Sequence, residues 1–330
     1  MKKTIYLYKS GVLVQRDYSL VLHTRNNESI YIPIQQIDQI ICFGEVTFNK
    51  RTLVLLNRNR VTIMFFDFYG NYIGRYCPKE YSDGKILMEQ VKAYNDLGQR
   101  AYISRKIIQA SVHNEMSLLK YYSKKGRNLD SQIEGLQRCL DKIVDKKDIA
   151  SLLLIEAQAK QFYYQSFDVI LNGSVYIFEK RSKNPPTNEI NAMLSYGYSL
   201  LYAHYLSVLC RSSLNPQISF IHSLNKSYDS LKYDLADITK SVIVDRMVIR
   251  MVRKKQVNPL MFDKKENGRC YLNKNGVIYF VKEFDNQLNK TIQINKKVYS
   301  YKSLISREVH LLSNYLKKES KDYHPYLMKW

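Results

Sequence analysis

The sequence lacks an apolar run long enough to cross a membrane. Its longest apolar stretch, residues 195–210, contains His204 and falls short of the roughly 20 residues that a spanning helix needs. Lysines interrupt the first nine residues, so no signal-peptide core forms there. We therefore expect a cytoplasmic protein with no membrane partner.

Cysteine is scarce and dispersed. The five cysteines include no CxxC pair and stand far apart, at Cys42, Cys77, Cys139, Cys210 and Cys270. This spacing is typical of reduced, structural thiols. It argues against a structural zinc site and against a disulfide framework.

Acidic residues are also under-represented, with 30 Asp and Glu against 51 Lys and Arg, which leaves a net charge of +21. Residues 240–330 alone hold 20 basic and 8 acidic side chains. A merely solvated basic surface is one interpretation. An excess of this size more often indicates an anionic partner, and a nucleic-acid backbone is the stronger hypothesis.

Hydrophobic periodicity divides the chain into two parts. Up to about residue 80, short runs rich in Val, Ile, Tyr and Leu predict about seven strands and one short helix, at residues 51–57. From about Asp83 the period becomes helical. Helices are predicted over residues 130–145, 148–170, 188–211, 229–254 and 302–318, and residues 255–300 are predicted to be an interruption with a strand at Val277–Val281.

The predicted fold class is α+β, a small N-terminal β-sandwich-like domain followed by a larger, mostly α-helical catalytic domain. The β domain covers residues 1–80, a linker covers residues 81–90, and the helical domain covers residues 91–330. No internal repeat or low-complexity tract is evident.

Two positions in the helical part suggest chemistry. Glu156 lies in a helical segment that is apolar on almost every side, where a carboxylate is costly unless it is paired or binds a cation. His222 follows a short apolar run. Each also has a structural explanation. Glu156 could be a buried Glu bonded to an Arg, or could lie on the polar edge of its helix, and His222 could be a hydrogen-bonded core His.

Asp234 and Asp237 follow His222 on one predicted helix, and their i,i+3 spacing places them on one face. They could equally be a solvated acidic pair near a helix N-terminus. Two carboxylates and an imidazole suit Mg²⁺ or Mn²⁺ acting on phosphate better than structural zinc.

Four ordered motifs resemble those of one family. Residues 155–164 (IEAQAKQFYY) resemble E-G-x-A-A-x-x-Y-F, and residues 181–201 (RSKNPPTNEINAMLSYGYSLL) resemble R-x-x-P-P-x-D-x-x-N-x-x-L-x-x-G-Y-x-L-L. Residues 214–222 (LNPQISFIH) resemble L-D-P-x-x-G-F-x-H, and residues 234–237 with 244–246 (DLAD and VDR) resemble D-L-x-[E/D]…V-D-R. In the N-terminal half, residues 32–34 (IPI) and 42–44 (CFG) also fit. The family is the CRISPR-associated integrase-nuclease family, the first of the Cas proteins.

The resemblance implies a site residue by residue. Glu156, His222 and Asp237 fall on the family's catalytic metal ligands, with Asp234, Tyr163, Arg181 and Asn191 as supporting residues. Two departures, Ala157 and Ser219 in place of glycines, remove no ligand.

The implied function is CRISPR adaptation in antiviral defence. An integrase of this kind uses Mg²⁺ or Mn²⁺ to insert captured DNA fragments into the CRISPR repeat array, and it can also hydrolyse branched or nicked DNA. Its implied partners are double-stranded DNA (prespacer and repeat), a second copy of the chain bound largely through the β domain, and a small CRISPR-associated adaptation protein. The alternatives are a stand-alone structure-specific nuclease of the same fold and a non-catalytic, basic DNA-binding protein.

Overall fold

The computed structural model describes residues 2–67, 69–78, 83–224 and 228–329. The described residues up to Tyr76 form strands and one helix. In chain order these are β1 (Lys3–Leu7), β2 (Gly11–Arg16), β3 (Ser19–Thr24), β4 (Ser29–Ile32), β5 (Ile37–Cys42), β6 (Val46–Phe48), α1 (Lys50–Asn59), β7 (Thr62–Phe66) and β8 (Tyr72–Tyr76). A short 3-10 turn, Ile34–Gln36, precedes β5.

The strands form two four-stranded sheets, ordered β1-β5-β7-β8 and β4-β3-β2-β6. The pairs β1–β5, β5–β7 and β2–β6 are parallel, and the others are antiparallel. Leu13 and Leu22 from one sheet share a buried core with Ile40 and Ile63 from the other, and Leu56 of α1 completes it. The predicted two-sheet domain is confirmed. The sheet β1-β5-β7-β8 is buried on both faces, because Ile40 and Ile63 face this core whereas Ile41 and Met64 belong to the core of the helical part.

The rest of the chain is mainly helical. Its helices are α2 (Gly84–Asn95), α3 (Leu97–Ser123), α4 (Asp130–Ile143), α5 (Ile149–Leu171), α6 (Glu189–Leu209), α7 (Leu231–Asp237), α8 (Arg246–Arg253), α9 (Lys274–Asn289) and α10 (Tyr301–Leu316). A π-helical turn, Ser241–Asp245, joins α7 to α8. Two small hairpins are β9 (Phe262–Lys264) with β10 (Cys270–Leu272), and β11 (Thr291–Ile294) with β12 (Lys297–Ser300). The α+β fold class is confirmed.

Helix α6 lies at the centre of the molecule. Asn188 caps its N-terminus, where its side chain accepts a hydrogen bond from the Asn191 backbone N–H at 2.9 Å. A Cβ on Gly197 would come within 2.6 Å of Val244 Cγ1, so this glycine allows α6 and the π-helical turn to pack closely. Thr62 of the β domain and Ser207 of α6 share a hydrogen bond of 2.6 Å, which ties the two parts together.

Residues 255–300 differ from the sequence prediction. The predicted strand at Val277–Val281 is wrong, because these residues lie in α9. Asn273 caps this helix, and Gly276 lies inside its first turn, where a Cβ would clash with the Met261 carbonyl oxygen at 2.2 Å. The glycine therefore serves a close tertiary contact, which the local sequence does not distinguish from a turn.

The structure also bears on the predicted linker, residues 81–90, and on the predicted state of the cysteines. Part of the expected linker, residues 81 and 82, lies outside the described residues, and residues 84–90 belong to α2.

The prediction of reduced cysteines is wrong for one pair, since Cys77 and Cys210 form a disulfide across 133 positions with a Cα–Cα distance of 6.0 Å. Linear spacing alone does not show which thiols the fold brings together. Cys42, Cys139 and Cys270 are free and buried.

Across the described ranges, no helix is both long and apolar enough to span a membrane.

Candidate active site

The imidazole of His222 is held by a buried carboxylate. Nδ1 of His222 lies 2.6 Å from Oδ1 of Asp234, which has no solvent exposure. Asp234 also accepts the backbone N–H groups of Phe220, Ile221 and His222 at 2.6, 3.0 and 3.3 Å. Because a carboxylate only accepts, the Nδ1 carries the proton, and the Nε2 lone pair remains for a ligand.

Helix periodicity explains how Asp234 reaches this position. Leu231, Leu235 and Ile238 are fully buried. Asp234 and Asp237 are buried as well, and the interpretation of a solvated acidic pair is therefore wrong. Their one-turn separation in α7 directs them to different partners, His222 for Asp234 and Lys240 for Asp237.

Glu156, His222 and Asp237 act on one another electrostatically. Burial raises the pKa of Glu156, and the nearby negative charge of Asp237 raises it further. Burial would raise the pKa of Asp237 too, but the cations Lys240 and Lys160, and His222 when it is protonated, lower it below its usual value. The pKa of His222 is raised despite its partial burial, through its hydrogen bond and charge interaction with Asp234. The three predicted ligands thus belong to one charged cluster, contributed by α5, a loop and α7.

Two lysines that sequence reasoning missed complete the cluster. Lys240 forms an ion pair with Asp237, and its ammonium lies 5.0 Å from the Tyr202 ring centroid. Lys160 forms an ion pair with Glu115 of α3, which is itself 2% exposed. The signal was present, since Lys160 follows Glu156 by four residues and Lys240 follows Asp237 by three. Each lysine therefore lies one helical turn beyond a carboxylate on the same face.

Arg181 and Asn191 shape the loop that approaches the cluster. The Asn191 side chain is fully buried and accepts hydrogen bonds from Arg181 Nη1 at 2.9 Å and from the Ser182 backbone N–H at 3.1 Å. Its amide also donates to the Lys180 carbonyl at 2.8 Å. Arg181 Nη2 donates to Ser195 at 3.0 Å. These contacts give both residues a positioning role for the loop.

Tyr163 is buried on α5, the helix that carries Glu156, and its hydroxyl contacts Asp245. The Tyr163 and Tyr198 hydroxyls donate to the two oxygens of Asp245 at 2.7 and 2.6 Å. Burial raises the pKa of Asp245. This arrangement joins α5, α6 and the π-helical turn, and so it fixes the elements that present Glu156 and Asp237.

The donor atoms of the three predicted ligands suit a divalent metal, but their side chains are not arranged so that they could hold one. Within the described part of the chain, no three His, Cys, Asp or Glu side chains are grouped so that they could hold a metal ion. The carboxylate of Asp237 is instead bonded to the Lys240 ammonium. The donor types nevertheless suit Mg²⁺ or Mn²⁺, and a cation would relieve the repulsion between Glu156 and Asp237.

A basic cavity of about 1000 Å³ lies between the 181–186 loop, α6 and the β9–β10 hairpin, and Glu156, His222 and Asp237 are not among the residues that line it. Lys183, Lys264, Lys265 and Arg269 line it, together with one acidic residue, Glu266. Burial lowers the pKa of Lys183, and the positive charges of Lys240 and Arg181 lower it further. Lys183 therefore lies within electrostatic range of the carboxylate cluster, and the field of the cavity favours an anion.

Comparisons with known proteins agree with this architecture. A family model described as CRISPR associated protein Cas1 matches residues 5–286. A protein named CRISPR-associated endonuclease Cas1 2, from Thermodesulfovibrio yellowstonii, is 36% identical over 333 residues and covers 100% of both chains. The solved structure of a Cas1 protein from Thermotoga maritima is 31% identical, with a TM-score of 0.85 over 99% of this chain and 100% of that one. A casposase bound to an integration product is 24% identical and shares the fold, with a TM-score of 0.83 over 99% of this chain and 94% of its own.

The α+β fold, together with relatives named as endonucleases, defines the class of this protein as a nuclease-integrase enzyme. The chain belongs to the Cas1 family of CRISPR-associated proteins, the integrases of CRISPR adaptation.

Proposed function

We propose that this chain is a metal-dependent DNA endonuclease and strand-transferase, which inserts captured DNA fragments into the CRISPR repeat array. Glu156, His222 and Asp237 are its metal ligands in this proposal. The observation that supports it is that two carboxyl groups and one imidazole, from three separate elements, lie close enough for Asp237 and His222 to shift the pKa of Glu156 and of each other.

Bound Mg²⁺ or Mn²⁺ would polarise the phosphodiester that is attacked by a 3′-hydroxyl group. Asp234 keeps the His222 proton on Nδ1 and so presents Nε2 as the ligand atom. Glu156 and Asp237 supply the negative charge. Lys240 must release the Asp237 carboxylate for a metal to take it, and its ammonium then becomes available to a DNA phosphate.

DNA would bind in part at the basic cavity, whose Lys183 lies within electrostatic range of the cluster. Its lysines and Arg269 suit a phosphate backbone, which they would bind largely independently of sequence and with strong salt dependence. The net charge of +21 favours the same partner.

The protein partners follow from the family resemblance. We propose a homodimer formed largely through the β domain, joined to a small CRISPR-associated adaptation protein. Val12 and Tyr31 support the dimer, because they are exposed by 47% and 62% on the sheet β4-β3-β2-β6. A cytoplasmic location remains a prediction from the sequence.

A half-site integration assay tests the function. Purified chain and its partner protein are incubated with a labelled DNA fragment and a repeat-containing plasmid, across a Mg²⁺ and a Mn²⁺ titration. We expect strand transfer that requires metal and is lost in Glu156→Gln. Metal-independent transfer, or full transfer by that variant, would overturn the proposal.

The rival functions have separate outcomes in the same assay. A stand-alone nuclease would cut branched DNA with metal but join nothing to the repeat, with or without partner protein. A non-catalytic binding protein would bind DNA equally with and without metal and would neither cut nor join it.

A further inference from the structure

A second basic cavity lies away from the carboxylate cluster. It has a volume of about 450 Å³ and is bounded by the end of α3, by α8 and by the end of α9. No Asp or Glu is among the described residues that line it, whereas six cationic side chains are, namely Lys125, Arg246, Arg250, Arg253, Lys254 and Lys290.

The cations of this cavity are only partly neutralised. Arg250 pairs with Glu283 at 3.1 Å, and Arg246 donates to the Tyr301 hydroxyl at 2.8 Å. Lys290 donates to the neutral amide oxygen of Gln287 at 3.0 Å. Lys125, Arg253, Lys254 and Lys290 have no ion pair with a carboxylate among the described residues, and such a group of positive charges is an arrangement that an anion stabilises.

Two groups in the cavity, Lys290 and Arg250, show an energetic cost of burial among like charges. Burial lowers the pKa of Lys290, and the positive charges of Arg250 and Arg246 lower it further. The Nε of Arg250 is buried and has no hydrogen-bond partner among the described residues. A bound anion would offset the cost at Lys290 by pairing with its ammonium group.

Two tyrosine rings of this cavity contact its cations, and we do not expect them to stack on a nucleobase. The Arg253 guanidinium lies 5.1 Å from the Tyr122 ring centroid, and the Lys125 ammonium lies 6.0 Å from that of Tyr121. Tyr122 is only 5% exposed, so its face is not open to a nucleobase. Recognition would therefore rest on charge and on the planar arginine forks, which match phosphate oxygens.

We propose that this cavity is a second phosphate-binding site, which takes the backbone of a nucleic-acid strand at a distance from the reacting phosphodiester. The proposal rests on the proposed function for the identity of the strand. Arg246 and Arg253 follow Asp237 by nine and 16 residues along nearly continuous helix. At about 1.5 Å per residue this is roughly 13 to 24 Å. With about 3.4 Å per phosphate, a strand would span it with about four to seven nucleotides.

The test compares two double variants that each remove two positive charges. Arg253→Gln with Lys254→Gln alters the cavity, and Lys142→Gln with Lys147→Gln is the control on and just after α4. All four side chains are exposed, so both variants should fold. Binding of a labelled 20-nucleotide single strand is measured in EDTA across a salt series.

We expect the slope of log affinity against log salt to become shallower by up to about 1.4 in the cavity variant, and to stay unchanged in the control. Equal slopes in the two variants would overturn the proposal. Because the measurement uses no metal, a failed integration assay beside a changed slope would overturn the proposed function and leave this site standing.

Two further arms identify the ligand. If one strand reaches both sites, a strand shorter than about four nucleotides is too short to do so, and it should bind the two variants with equal affinity. Calorimetric titration with tripolyphosphate tests whether the ligand is a free polyphosphate, which offers the same phosphate groups as a nucleic-acid backbone. Tripolyphosphate binding that the cavity variant loses, beside an unchanged slope for DNA, would assign the site to a free polyphosphate and overturn the strand proposal.

Discussion

Asp234 holds the imidazole of His222 through a 2.6 Å contact with Nδ1 and fixes the approaching loop through three backbone N–H groups. One carboxylate thus orients the ring and the backbone that carries it. Asp237, three residues later, instead pairs with Lys240. The two acidic residues therefore have separable roles, and variants can tell them apart.

Asp237→Asn should abolish metal-dependent activity, because it removes a proposed ligand carboxylate. Asp234→Asn should lower activity by about 10–100-fold, the usual cost of losing a group that orients a ligand. It should also lower the melting temperature, since Asp234 accepts four hydrogen bonds in a site without solvent. A Mn²⁺ titration of both variants measures this. Full rescue of Asp237→Asn by extra metal, without rescue of Asp234→Asn, would reverse the assignment.

Glu156→Ala and His222→Ala should each abolish metal-dependent cleavage and integration and leave the fold intact. Neither side chain is fully buried, so neither truncation opens a large cavity. The matched controls are Glu134→Ala and His310→Ala, at exposed positions on α4 and α10. Gel assays of strand transfer and thermal melts measure the outcome. Unimpaired integration by either site variant would refute the assigned ligands.

DNA binding should survive Glu156→Ala and weaken steeply with salt. The net charge of +21 releases counterions from the DNA on binding, and this does not depend on the metal ligands. Fluorescence anisotropy with duplex DNA between 50 and 200 mM salt, in buffers containing EDTA, measures the slope. An affinity that barely changes over this range would indicate a partner other than nucleic acid.

Lys160→Met should destabilise the fold by about 3 kcal/mol, because it leaves the Glu115 carboxyl buried without its cation. The double variant Lys160→Met with Glu115→Gln should recover part of that loss. Lys92→Met breaks the exposed pair with Glu89 and should cost less than about 1 kcal/mol. Urea unfolding measures all three, and equal losses for Lys160→Met and Lys92→Met would contradict the assignment of a buried pair.

Stability should fall as the pH rises from about 4.5 to 7, in part because of Glu308. Burial raises the pKa of Glu308 from 4.5 to about 7, so the folded state binds more protons than the unfolded state in this window. The contribution is fully present below pH 4.5 and is lost as the pH rises through 7. Glu308→Gln should flatten the dependence by roughly 1 kcal/mol per pH unit. An unchanged slope in urea unfolding at pH 5, 6 and 7 would show that Glu308 is ionised when folded.

The elements that depend on local patterning were predictable from the sequence. Short runs rich in Val, Ile, Tyr and Leu, broken by turn residues, located seven of the strands, and the 3.6-residue period located α4, α5, α6 and α10 to within about two residues at most ends. Only β6, with three residues, was missed in the β domain. Where a long-range contact set the conformation, as at Gly276, the local sequence favoured the wrong element.

The sequence by itself determined the secondary structure of most of the chain, its charge, and the donor types of the site at Glu156, His222 and Asp237. Only the tertiary structure decided what surrounds those donors. It joined Cys77 to Cys210, placed Lys240 on the Asp237 carboxylate, and brought six cations, from α8 and from just beyond the ends of α3, α8 and α9, around one cavity. These relationships act through space between residues distant in the chain or depend on side-chain direction, whereas sequence patterns report only the periodicity of neighbours.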